Sequence, residues 1–235
     1  MMMAARRVYG IMRIGWRSIS ANRVPMLVLW GFAVSLAVAY YRLPGFAGLL
    51  SPVKDWQARN GALAAFTTQF LFCGVLPALF LSVVREIKTD HRFLKCALQS
   101  VWSGCWGVVY LWFYALQARM FGDGHDLGTL LAKTAFDEFV WSPFTSVPLT
   151  ALFFLWMGSG FSLAKTIKTC REGFFIRVVL PTLFSNWAIW IPAVMAVYAF
   201  PRDLQIQMLG LVSCFWTLVC LQLGERAGCA ENGAD

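Results

Sequence analysis

Charge is what this sequence has least of. Only 14% of its 235 residues are Asp, Glu, Lys or Arg, against about a quarter in soluble globular domains. The scarcity is also uneven. Six stretches carry no charge at all: 24–41, 61–84, 97–118, 139–161, 178–200 and 204–223. Each is 18 to 24 residues long, and about 20 helical residues cross a hydrocarbon core of about 30 Å. Every charged residue therefore lies between the stretches or beyond them. A buried helix of a soluble protein rarely goes so long without charge. The pattern excludes an ordinary soluble domain and predicts an all-α membrane protein, a bundle of six transmembrane helices.

Histidine is nearly absent too. His91 and His125 both fall between stretches. A serine nucleophile needs a base within reach; both histidines lie in loops, and His125 falls on the opposite side from Ser159 in the turn Trp156-Met-Gly-Ser-Gly160. The seven cysteines include no C-x-x-C pair, which argues against a zinc site and a disulfide framework. Cys73, Cys105, Cys214 and Cys220 read as small apolar packers. No glycine-rich phosphate loop or cofactor lysine is present, and Asp123-Gly-His-Asp126 reads as a turn. The expectation is a non-enzymatic chain with no cofactor and no metal.

The cations that exist are collected. With the N-terminus on side one, 14 Lys and Arg fall on that side and six on the other, while the 12 acids divide evenly. Cytoplasmic loops retain Lys and Arg, so both termini are expected on the cytoplasmic or matrix side. The membrane is then a bacterial cytoplasmic membrane or an organelle membrane, mitochondrial inner or peroxisomal. The net charge of +8 serves orientation, and no separate basic surface for nucleic acid exists. The partner is the lipid bilayer, a homo-oligomer is compatible, and no cargo is named.

Three segments flank or interrupt the transmembrane domain, residues 24–223. Residues 1–23 hold five Arg and no acid, which fits either positive-inside retention or organelle targeting. In 162–177, Leu163, Ile167, Cys170 and Phe174 recur at spacings of 4, 3 and 4. That single apolar stripe fits a helix lying on the inner leaflet, the alternative being an ordinary solvated connector. The tail 224–235 is small and polar and is expected to be disordered.

Polar residues inside spans are informative because lipid offers them no partner. They include Gln69, Gln99, Gln117, Thr145, Ser146, Ser185, Asn186 and Thr217. None is ionisable, which disfavours a proton-coupled pump. Pro77, Pro143, Pro148, Pro181 and Pro192 each remove a backbone donor, marking either packed kinks or carbonyls that line a pore. Asp137 and Glu138 stand just before the fourth stretch, near an expected helix N-terminus. They are either capping residues or acids at a pore mouth, with Ser185 and Asn186 in the lumen.

The order of motifs adds a resemblance. Lys133-x-x-Phe136-Asp137-Glu138 with Pro143, Asn186-Trp187-x-x-Trp190-x-Pro192, Phe200-Pro201-Arg202 and Trp216-Thr217 follow one another. This order resembles the Mpv-type family of twenty-two-kilodalton peroxisomal membrane proteins over about residues 100–225. Glu138 stands where that family usually has Gln, and Ile191 separates Trp190 from Pro192. The resemblance implies a non-enzymatic membrane protein forming a small non-selective pore for ions or metabolites. The alternative is a structural or assembly membrane protein with no transport activity.

Overall fold

The computed structural model describes residues 23–84, 92–171 and 173–215. The expectations for 1–22, for the basic turn at 85–91, for Trp216, Thr217 and Cys220, and for the tail lie outside the described residues.

Among the described residues every regular element is helical. They are α1 (Arg23–Arg42), α2 (Phe46–Leu49), α3 (Ser51–Gln69), π1 (Phe70–Val75), α4 (Leu76–Val84), α5 (Arg92–Phe121), α6 (Leu127–Phe136), π2 (Asp137–Ser146), α7 (Val147–Gly158), α8 (Leu163–Arg171), π3 (Phe175–Val179) and α9 (Leu180–Tyr198). A last helix, α10, covers 202–215. Three runs are long and apolar enough to cross a membrane: Ser51–Phe80, which breaks at Gly61 (φ 49°, ψ −113°), Leu127–Gly158 and Phe175–Tyr198. The apolar part of α1, Met26–Arg42, is shorter. α5 has 30 residues, but its Trp, Tyr, Gln and Ser make it less apolar, and α10 is described only as far as residue 215.

Proline explains why three runs widen into π-helix. The residue just before Pro77, Pro148 and Pro181 donates its N–H five residues back: Leu76 to Leu71, Val147 to Ser142, and Leu180 to Phe175. Proline cannot donate to the carbonyl four residues behind it and crowds it. Widening the preceding turn accommodates that crowding, and α-helix resumes with the proline in its first turn. Of the two expected roles, kink or exposed carbonyl, these three prolines combine a π-bulge with a helix restart.

Glycine explains how closely the helices approach. A Cβ on Gly74 of π1 would lie 2.3 Å from the Ser100 backbone of α5. One on Gly107 of α5 would lie 2.3 Å from the Ala65 carbonyl oxygen of α3, and one on Gly104 would meet the Phe66 ring at 2.6 Å. Small residues at such crossings let backbones touch where no hydrophobic effect drives helices together. Elsewhere α1 packs on α9, with Trp30 Nε1 donating to the Ile189 carbonyl at 2.9 Å. The main core gathers Leu29, Tyr114, Val197, Tyr198, Ile206 and Leu209.

Large apolar side chains stand on the outside of the molecule, and several polar ones are buried beside the apolar core. Leu27 is 62% exposed, Trp112 71% and Phe144 75%, whereas Gln117, Gln69, Gln207, Asp137 and Glu138 are buried. An apolar exterior this extensive would be a liability in water and is the natural outer face of a bundle in lipid.

Two boundaries differ from the sequence reading. The helix expected to begin at 139 begins at Leu127, because Asp126 caps it. The Asp126 carboxylate accepts from Thr129 N at 3.0 Å and from Thr129 Oγ1 at 2.6 Å. These hydrogen bonds hold its pKa below the ordinary carboxylate value. The expected interfacial helix 162–177 is shortened to Leu163–Arg171, and the next run starts at Phe175. Gly173, at φ 99°, sits in the left-handed region and breaks the two apart. α8 turns Thr166 inward and leaves Leu163 and Ile167 exposed.

Candidate functional site

A cavity of about 680 Å³ lies between α5, the π2–α7 run, the π3–α9 run, π1 and α10. Each long helix contributes one face to it, read at a spacing of four. From α5 come Gln99 and Ser103, with Trp102, Trp106, Tyr110 and Tyr114. From π2 and α7 come Glu138, Ser142, Ser146, Thr150 and Phe154, with Asp137 beside the first. From π3 and α9 come Val178, Thr182, Asn186, Trp190 and Val194. Gln69 and Cys73 close one side and Leu209 and Ser213 another. The wall is thus part hydroxyl and amide, part aromatic.

The two carboxylates are its chemical centre. Asp137 and Glu138 are 4% and 2% exposed and begin π2, about a third of the way along Leu127–Gly158. The expectation that they stand at a helix N-terminus is corrected here, since ten residues of α6 precede them. Their location at the outer edge of a span is corrected with it, and ionisable groups do sit inside the bundle. Tyr198 OH donates to Asp137 Oδ2 at 2.6 Å, and Asn186 Nδ2 donates to Glu138 Oε2 at 2.9 Å. Trp187 Nε1 donates to the Glu138 carbonyl at 2.6 Å. All three donors are neutral and all come from α9. Among the described residues no Lys or Arg lies within ion-pair distance of either carboxylate.

Other groups facing the cavity also lack partners. Gln99 Oε1, Trp106 Nε1 and the Tyr114 hydroxyl are buried with no hydrogen bond of ordinary geometry. Tyr114 lies against Tyr198, ring centres 5.2 Å apart and nearly perpendicular. Trp102 stacks on Phe153 at 4.3 Å, which fixes its ring.

Of the residues singled out from sequence, Gln69, Asp137, Glu138, Asn186 and Trp190 come together around this space. Gln69 is anchored by donating to the Ile206 carbonyl at 3.0 Å. Ser185, expected in the lumen beside Asn186, is not part of the lining. Pro143 lies within π2, and Pro192 lies inside α9 without a π-turn. Pro201 accepts from Leu204 N at 2.8 Å to open α10. Arg202 Nη1 approaches Asp123 Oδ2 at 3.8 Å near the loop before α6. Gln99 and Ser146, also singled out, line the cavity as well, whereas the lining residues Ser103, Ser142, Thr150 and Thr182 were not singled out, although their periodicity stands in the sequence.

The chain matches no protein-family model, no curated protein and no solved structure.

Proposed function

We propose that the chain is a non-enzymatic, multi-pass membrane protein whose cavity forms part of a permeation path for small solutes. In this reading all six charge-free stretches span the bilayer, α1, α5 and α10 joining the three long apolar runs, with both termini on the cytoplasmic or matrix side. The observation that carries it is the cavity itself. Burying a carboxylate without a countercharge is expensive, and ionisable groups inside a membrane bundle characteristically mark a solute pathway. A bundle built only to be closed has no need of two. The motif order resembling the Mpv-type family points the same way, toward a small pore.

A second reading, structural or assembly protein, is favoured by a specific set of contacts. Gln207 Nε2 donates to Gln57 Oε1 at 2.6 Å, and Gln69 and Gln117 bond to backbone carbonyls of neighbouring helices. Such buried amides glue helices without any transport. Solute flux into vesicles carrying the reconstituted protein separates the two. A path predicts flux that falls several-fold in Asn186→Leu. No flux under any applied potential, or flux indifferent to that substitution, supports the structural reading.

A further inference from the structure

The geometry points to a small organic cation, an ammonium head on an apolar body, as the solute this cavity takes; the inference rests on the permeation reading above. Three features of the space select that chemistry together.

The first is a pair of acids with no countercharge. Asp137 and Glu138 receive only neutral donors, and the described residues bring no cation to them. A solute that carries its own positive charge supplies what the protein withholds, whereas an anion meets two acids and no cation among the described residues. The second is the wall. Trp102, Trp106 and Tyr110 face the cavity from α5 and Trp190 faces it from α9. Aromatic faces attract cations most strongly where water is scarce, and they recognise substituted ammonium heads in particular. The third is the unpaired polar set. Gln99 Oε1 is a buried acceptor with nothing to accept from, and the Tyr114 hydroxyl, on a side chain 3% exposed, makes no hydrogen bond of ordinary geometry and has only the Tyr198 hydroxyl beside it. Both suit the N–H groups of an amine.

Size discriminates against a bare metal ion. Hard cations need several oxygens within about 2.6 Å, and the described residues hold no group of three or more His, Cys, Asp or Glu that could gather round one. A space of about 680 Å³ falls within the range of pockets for small organic ligands. Of these, a sugar-like solute would need many paired donors and acceptors, and this wall is mostly apolar.

The test is calorimetric titration of the full chain in lipid nanodiscs with phenethylammonium, with its neutral isostere 2-phenylethanol, and with potassium ion. The expected result is phenethylammonium binding at least tenfold tighter than the alcohol. That preference should collapse in Asp137→Asn/Glu138→Gln, which keeps both acceptors for Tyr198 and Asn186. Trp190→Leu should weaken the amine several-fold, and the lipid-facing Trp112→Leu should not. Equal binding of amine and alcohol, or a preference that survives the double substitution, overturns the inference, as does tighter binding of potassium. Flux measured on the same preparations keeps the two claims apart. Flux without amine selectivity leaves the path and removes the cation, and amine binding without flux does the reverse.

Discussion

Asn186 of α9 donates its amide to Glu138 of π2 across 2.9 Å, joining residues 48 apart in sequence. The neighbouring pair, Tyr198 with Asp137, ties the other end of the same helix to the adjacent acid. Two hydrogen bonds to successive residues of π2 therefore set where α9 sits along it. Both carboxylates act as acceptors in this clamp, and both remain without a cation among the described residues.

Removing the donor at one end should loosen that register. Asn186→Leu leaves a buried carboxylate oxygen unpaired, at a cost of about 1–3 kcal/mol. Asn186→Asp should be worse, because it adds a third acid to the same space. Thermal unfolding in one detergent orders the three proteins as wild type above Leu above Asp. An Asp variant as stable as wild type would show that cations already reach the site.

The cavity face of π2 and α7 should be wet and its reverse greasy. In a background lacking the native cysteines, Ser142→Cys, Ser146→Cys and Thr150→Cys should react with water-soluble thiol reagents. Phe144→Cys, on the 75% exposed outer face, should not. A cationic reagent should outrun an anionic one of equal size by about tenfold or more, since acids in a low-dielectric cleft concentrate cations. Uniform labelling of both faces would mean that these helices do not divide water from lipid.

Much of the helical framework could be read from the sequence, because charge-free length is a direct consequence of the solvent. The site was only half legible. Gln69, Asn186 and the acid pair stand out as polar groups in or near apolar stretches, but the start of the helix holding the acids was obscured. Lack of charge marks where a span can lie, not where its helix begins. Asp126-x-x-Thr129 caps that helix ten residues ahead of the acids. Placing its start at 139 separates Glu138 from Ser142, Ser146 and Thr150, with which it shares a face. The aromatic ladder Trp102, Trp106, Tyr110 and Tyr114 hides for another reason. An interfacial belt and a cavity wall both use Trp and Tyr, and only neighbouring helices decide between them.

The seam between α3–π1 and α5 should tolerate nothing larger than glycine. Gly107→Leu would drive a side chain into the Ala65 carbonyl, and Gly74→Leu into the Ser100 backbone. Each backbone contact leaves no flexible atom to yield, so the cost should reach or exceed the roughly 1–3 kcal/mol of ordinary overpacking. Gly31 has nothing within 4 Å of its would-be Cβ. Gly31→Ala in mid-helix should therefore be neutral or raise stability by about 0.5–1 kcal/mol. Melting temperature and the monodisperse fraction on gel filtration check both claims.

Lys133 poses the opposite problem to the acids, being a buried cation whose partner stands in water. Its side chain is 4% exposed, yet its ammonium is 4.0 Å from an Asp123 carboxylate that is 60% exposed and also 3.8 Å from Arg202. Water reaches the acid, so the pair should contribute only about 0–1 kcal/mol, and Asp123→Asn should be nearly silent in an unfolding experiment. The charge itself is another matter. Lys133 lies one helical turn before Asp137, so Lys133→Glu would place a third acid within the same helix near π2, buried and unpaired. That variant should fail to accumulate in the membrane. Lys133→Met keeps the aliphatic stem, removes the desolvation of the ammonium, and should match wild type or exceed it. If Lys133→Met proved as damaging as Lys133→Glu, the ammonium would be doing more for the fold than its distance to Asp123 allows.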